Sequence, residues 1–181
     1  QADPQTDEVV NLVTRTTGGR ERARARIATF GVPFASLIHP QVDLLGTQLA
    51  NEVTIYHGAS IGAEASVERS AVVLVGGLVG HGAQIGEGCV IAPYGVVNAR
   101  VKLGPRVYVG SNASILPDLE IGEGATIAGN TLVVDHVPAY ATAIGVPATV
   151  LDAHATLAPL LPAGATPEQA IARNDRAISA D

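Results

Sequence analysis

The side chains able to carry chemistry are few. The chain has five histidines, His39, His57, His81, His136 and His154, and one cysteine, Cys89. An imidazole with its ordinary pKa of about 6.5 is partly neutral at pH 7, so it can take a proton from an attacking hydroxyl or amine. His81 stands out by its setting, between Gly80 and Gly82 and two residues after Val79. Tyr94 and Asn98 are polar candidates in the same stretch. His39, His57 and His81 raise the question of a metal centre, which needs histidines close together with an open coordination position. The separations from 39 to 57 and from 57 to 81 put these residues on different turns of any repeating structure, so no metal site is expected. His136 and His154 are expected to face solvent.

What positions these groups is a repeat. Thirteen aliphatic residues recur every six positions, at Ile61, Val67, Val73, Val79, Ile85, Ile91, Val97, Leu103, Val109, Ile115, Ile121, Ile127 and Val133. A period of six matches neither the 3.6 residues of a helix nor the alternation of an ordinary strand, and it is the signature of a hexapeptide β-helix. Glycine often follows the aliphatic residue, as at Gly62, Gly80, Gly86, Gly104, Gly110 and Gly122. It permits a corner where larger side chains would crowd. Four places on stands a small or branched residue, including Ala65, Ala71, Ala83, Cys89, Val107, Ala113 and Ala125. Three such sides would form a triangular coil of about 18 residues, with coils about 4.8 Å apart. Residues 18 apart then stack, Val79 between Ile61 and Val97, and the core needs few aromatics. Only 3% of residues are aromatic. Cys89 falls on the inward side and is expected to be a buried structural thiol. The phase runs back through Ile55 and Leu49 and slips by one before Leu44 and Ile38, which predicts a shortened coil near 50–54.

The solenoid is expected to span 37–149, flanked by an N-terminal segment, 1–36, and a tail, 150–181, that cover its open ends. In the first, Glu8 to Val13 reads as a strand, Thr16–Gly19 as a loop, and Arg20 to Phe30 as a helix stopped by Gly31. Arg20, Arg22, Arg24 and Arg26 crowd that helix and read as a solvated charged face rather than a phosphate site. After Val137-Pro138 the phase ends, and Gly145-Val146-Pro147-Ala148 is expected to turn back along the last coils. Thr166-Pro167-Glu168 predicts a short helix over 167–179.

Composition narrows the class. With a net charge of −6 and 15% charged residues, a general nucleic-acid binder is not expected. No apolar run approaches the roughly 20 residues of a membrane span, and a cytoplasmic protein is expected. The chain opens at Gln1 and contains no methionine, as expected where the natural start lies outside the sequence.

The segment Phe34-Ala35-Ser36-Leu37-Ile38-His39-Pro40, the repeats, Ser114-Ile115-Leu116-Pro117-Asp118 and Gly145-Val146-Pro147-Ala148 together resemble the sugar O-/N-acyltransferases of the sialic-acid O-acetyltransferase type. The resemblance covers roughly residues 20–150. It implies an all-β, left-handed parallel β-helix, a homotrimer, and acetyl-CoA, or another acyl-CoA, lying between subunits as co-substrate. It also implies a small-molecule acceptor. Residues 8–31 look like the last strand and helix of the larger α/β domain that precedes the solenoid in this family. The family's catalytic histidine falls at His81. Cofactor contacts fall at Ala99, Gly110, Ala128 and Gly129, with Gly145, Val146 and Pro147 covering the pantetheine arm. Tyr94 and Asn98 become acceptor-side candidates. Two departures stand out: the acidic neighbours of the histidine are Gly80 and Gly82, so a backbone carbonyl or a residue of another subunit must orient the ring, and a second histidine is replaced by Val90. A β-helix that has lost acyl transfer and serves as a binding or assembly module, or one that runs a different His-assisted reaction, is the alternative.

Overall fold

A computed structural model describes residue 3 and residues 6–151. The expected tail helix and His154 lie outside the described residues. The repeat folds into short parallel strands, most of two residues, whose partners are 18 residues away along most of the ladder. Ile61 pairs with Val79 and Val79 with Val97, as the spacing requires. Three sheets result. The first face runs from Leu37–Ile38 to Thr149–Leu151, the second from Ser60–Ile61 to Leu132–Val133, and the third from Gln48–Leu49 to Glu120–Ile121. The chain visits them in the order first, second, third, and so closes a triangular prism; the fold is the left-handed β-helix of hexapeptide repeats.

The aliphatic ladder fills the prism. Val79, Ile91, Val97, Val109, Ile115 and Ile127 are at most 1% exposed, as are the small residues Ala65, Ala71, Ala83, Cys89 and Ala113. At the corners the reason for glycine is steric. A β-carbon on Gly62, Gly110 or Gly122 would sit 2.3–2.5 Å from a backbone nitrogen of the next coil. The left-handed backbone conformation comes two residues later, at Gly82, Tyr94, Arg100, Asn112 and Asp118 among others. Several ordinary residues therefore bear a conformation that glycine adopts freely.

Two sides of the prism are short. Ile38 pairs with Ile55, 17 residues on, whereas Leu49 pairs with Val67, 18 on. The missing residue thus lies between Ile38 and Gln48 and not near 50–54; the shorter step is Leu44 to Leu49, whose corner is closed by Thr47 donating to the Leu44 carbonyl. At the other end Ile115 pairs with Val133, but Ile121 bridges to Val137, 16 residues on. The phase breaks between Val133 and Val137, before Pro138, and resumes through Val137 and Ala143, both buried. The strand Thr142–Ile144 then turns at Gly145–Ala148 and pairs antiparallel with Thr149–Leu151. This is the expected return of the loop along the last coils. Backbone bonds from Leu132 to Gly145 and from Ala148 to Leu132 tie the turn to the second face.

The N-terminal segment differs from expectation. Only Val9 forms a bridge, to Phe34, so Glu8–Val13 is not a strand. Helix α1, Thr17–Ala28, begins three residues early because Thr16 caps it, its hydroxyl accepting from Gly19 N–H. The arginines do not form one solvated face. Arg20 is 1% exposed and donates to the carbonyls of Asn11, Val13 and Ser70. Loss of hydration pushes its pKa down to about 10, with Glu52 opposing. Arg24 makes a two-pronged pair with Glu52. The helix is pinned by buried polar bonds to the edge between the third and first faces.

Candidate active site

His81 stands exposed on the edge between the second and third faces. Its backbone is fixed on both sides: its N–H lies 2.5 Å from where a Gly62 β-carbon would be, and its carbonyl accepts from Arg100 N–H at 3.0 Å. Ala99 stacks directly beyond it, since Gly80, just before His81, meets the Ala99 nitrogen. The same edge carries an Arg100–Asp118 pair, two parallel bonds of 2.6 and 2.8 Å. That guanidinium, and to a lesser degree His81, holds the Asp118 carboxyl below the usual carboxylate range. A carboxylate within electrostatic reach of His81 therefore comes from the same chain, two coils on. No spacing rule would have pointed to it, because the partner is set by stacking and not by neighbourhood in sequence.

The other predicted residues divide between edges. Gly110, Ala128 and Gly129 come together on the edge between the first and second faces, where a β-carbon on Gly110 would meet the Gly129 nitrogen at 2.5 Å and the Ala128 carbonyl carbon at 2.8 Å. Gly145, Val146 and Pro147 form the hairpin turn tied to Leu132, the last strand of the second face. Tyr94 is on this edge too, 59% exposed, its ring lying across Gly76. Within one chain it is separated from His81 by the width of the second face. Asn98 is on the His81 edge, but its amide donates to the Ile115 carbonyl at 2.7 Å, so the side chain clasps the next coil. Val90 is wholly buried on the first face, away from His81.

Cys89 is fully buried, its thiol donating to the Gly104 carbonyl, and desolvation pushes its pKa up to about 12. His136 is exposed but not idle: its Nδ1 accepts from Glu120 N–H at 2.9 Å, and it lines a groove of about 530 Å³ with Lys102, Gly104 and Pro138. His39 and His57 are on adjacent coils, with ring centroids 5.8 Å apart. The sequence reading had set them apart as belonging to different coils; their separation is one full coil, which brings them together.

The prism, its glycine corners and its exposed histidine define a hexapeptide-repeat β-helix of the transferase kind. The Bacterial transferase hexapeptide (six repeats) family matches residues 100–135. The chain is 33% identical over 109 residues to a serine acetyltransferase of Mycobacterium tuberculosis, covering 58% of this chain and 48% of that protein. It therefore spans about half the length of that relative. Its fold is similar to that of PerB from Caulobacter crescentus, solved in complex with CoA and GDP-perosamine, with a TM-score of 0.70 at 25% identity, covering 74% of this chain and 65% of that one. It is also similar to the acetyltransferase domain of PglB from Neisseria gonorrhoeae, solved with acetyl coenzyme A, with a TM-score of 0.75 at 19% identity over 83% and 73% of the two chains.

Proposed function

We propose that the chain is an acyltransferase that moves an acetyl group, or another acyl group, from CoA to a hydroxyl or amine of a sugar or other small molecule, with His81 as general base. The observation that carries this reading is the division of the site between two edges of the prism. His81 and Ala99 are on one, and Gly110, Ala128, Gly129 and the Gly145–Pro147 turn are on another. A site built from both is completed when the His81 edge of one copy faces the other edge of a neighbour, as in a homotrimer. Exposed Leu78 on the second face, with Leu116 and Val134 on the His81 edge, supports such a contact. The CoA and acetyl-CoA complexes of the similar structures support the co-substrate.

In this reading the imidazole takes the proton of the acceptor hydroxyl or amine as its oxygen or nitrogen bonds to the thioester carbonyl carbon. The carbon–sulfur bond then breaks, and the proton passes from the imidazolium to the CoA sulfur. Residues 1–36 act as the remnant of a larger N-terminal domain, 37–149 as the catalytic solenoid and 150–181 as a tail. A cytoplasmic location follows from an intracellular co-substrate. Among the described residues no helix is long and apolar enough to cross a membrane.

Calorimetry with acetyl-CoA and CoA, on the unmodified protein and on His81→Ala, tests the assignment. CoA binding is expected in both, with acyl transfer falling by a factor of about 10² or more in the variant. Absence of CoA binding overturns the enzyme reading, and undiminished transfer in His81→Ala overturns the base. A second reading, a β-helix that assembles and binds but no longer transfers acyl groups, is favoured by the Gly80-His81-Gly82 setting; it requires trimers in sedimentation together with no turnover of any acyl-CoA.

A further inference from the structure

The base of the solenoid holds a second cluster of histidine chemistry, on the first face and its edge and remote from His81. The pocket there is about 220 Å³ and is lined by Leu37, His39, Pro40, Thr54, Tyr56 and His57 among others. His39 is half-buried and His57 exposed, and their rings are tilted by 60°. With metal–nitrogen bonds of about 2.0–2.1 Å, two imidazoles on one ion place their ring centroids about 5.2 Å apart in a tetrahedral arrangement and about 6.4 Å apart when they are opposed. The observed 5.8 Å falls between these limits. His39 Nδ1 accepts weakly from Gln41 N–H at 3.4 Å, which leaves Nε2 as its ligand atom.

An independent observation comes from the floor of the same pocket. Thr54 is 1% exposed, and its hydroxyl has no hydrogen-bond partner among the described residues. A buried hydroxyl left unpaired costs about 1–3 kcal/mol, and in native proteins such a group usually marks a place where something else binds. The walls are otherwise aliphatic.

We propose that His39 and His57 form a two-imidazole site for one divalent transition-metal ion of the copper, nickel or zinc type, with Thr54 hydrogen-bonded to a water or small anion on the ion's open positions. Imidazole suits these ions and is poorly matched to magnesium or calcium. No third His, Cys, Asp or Glu converges here among the described residues, so the site is open and its affinity rests on both rings. The proposal does not depend on acyl transfer.

The test is titration of the full, untagged chain with Cu²⁺, Ni²⁺ and Zn²⁺, followed by calorimetry and, for Cu²⁺, by electron paramagnetic resonance. One ion per chain is expected, with two nitrogen ligands in the copper spectrum. Affinity should fall at least tenfold in His39→Ala and in His57→Ala, and stay unchanged in His81→Ala, His136→Ala and His154→Ala. Where an alanine variant fails to fold, metal protection of His39 and His57 against diethyl pyrocarbonate, read by peptide mass on the unmodified chain, replaces it. Absence of binding, binding undiminished by loss of both rings, or lack of protection overturns the proposal.

Discussion

The backbone nitrogen of Ala99 lies 2.5 Å from where a β-carbon on Gly80 would stand, immediately before His81. No side chain fits there without moving a coil. Gly82, on the other side of His81, has its β-carbon direction open apart from the Arg100 stem at 3.4 Å, but adopts a left-handed φ of +65°. The two glycines around the histidine are thus glycine for different reasons.

Restoring an acid should separate them. Gly80→Asp is expected to cost about 3 kcal/mol or more by overpacking. Gly82→Asp costs about 1 kcal/mol, because Asp tolerates the left-handed conformation better than most residues. If His81 is the base, the second change also supplies a neighbouring carboxylate, and acyl transfer should rise. Chemical denaturation and an acetyl-CoA turnover assay check both halves.

Arg20→Ala leaves three carbonyls, of Asn11, Val13 and Ser70, without their donor. A loss of about 3 kcal/mol is expected from charged hydrogen bonds of this kind. Arg20→Lys should recover only part of it, since an ammonium cannot reproduce the planar fork. Because α1 is held at this point, limited proteolysis of the variant should cut first within residues 6–36.

The pairs Arg100–Asp118 and Lys102–Glu120 hold both carboxyls below their ordinary values of 3.8 and 4.5. In the unfolded chain these groups bind protons at higher pH than in the folded one. Their contribution is therefore present above the ordinary values and disappears as pH falls through the folded ones. The stability difference between the unmodified protein and Asp118→Asn or Glu120→Gln should be small at pH 7, vanish on acidification, and shrink in high salt, as expected for exposed pairs. Urea midpoints across pH 7 to 2 give the comparison.

Cys89 should not react with a thiol reagent in the native state. Its thiol is buried and its pKa is pushed up to about 12, so thiolate is scarce at pH 8. Modification by a disulfide reagent is expected only at the rate of unfolding, with one thiol per chain released in denaturant.

The repeat was legible because inward burial imposes one chemical demand every six residues, and Ile61 through Val133 answer it without exception. Contacts between coils were less so. Arg20 looked like part of a charged helix face, yet a guanidinium is buried there because carbonyls fifty residues away in sequence, at Ser70, need a donor. His39 and His57 were each visible, but not their meeting, although one coil separates them. For the candidate site, the phase located His81 on an edge; which edge Tyr94 and Gly110 share required the closed prism.

Both short sides of the solenoid lie near its ends, before Leu49 and after Val133, and between them the period is unbroken. That makes the interior a ruler graduated in coils. Eighteen residues added there would slide the hairpin end about 4.8 Å along the axis and leave every face aligned. Six residues added between His81 and Gly110 would instead turn everything downstream by a third of a revolution and carry the Gly110 column onto another edge. The angle between the two halves of the site is thus quantised by chain length, so lineages can lengthen this protein freely only in whole coils.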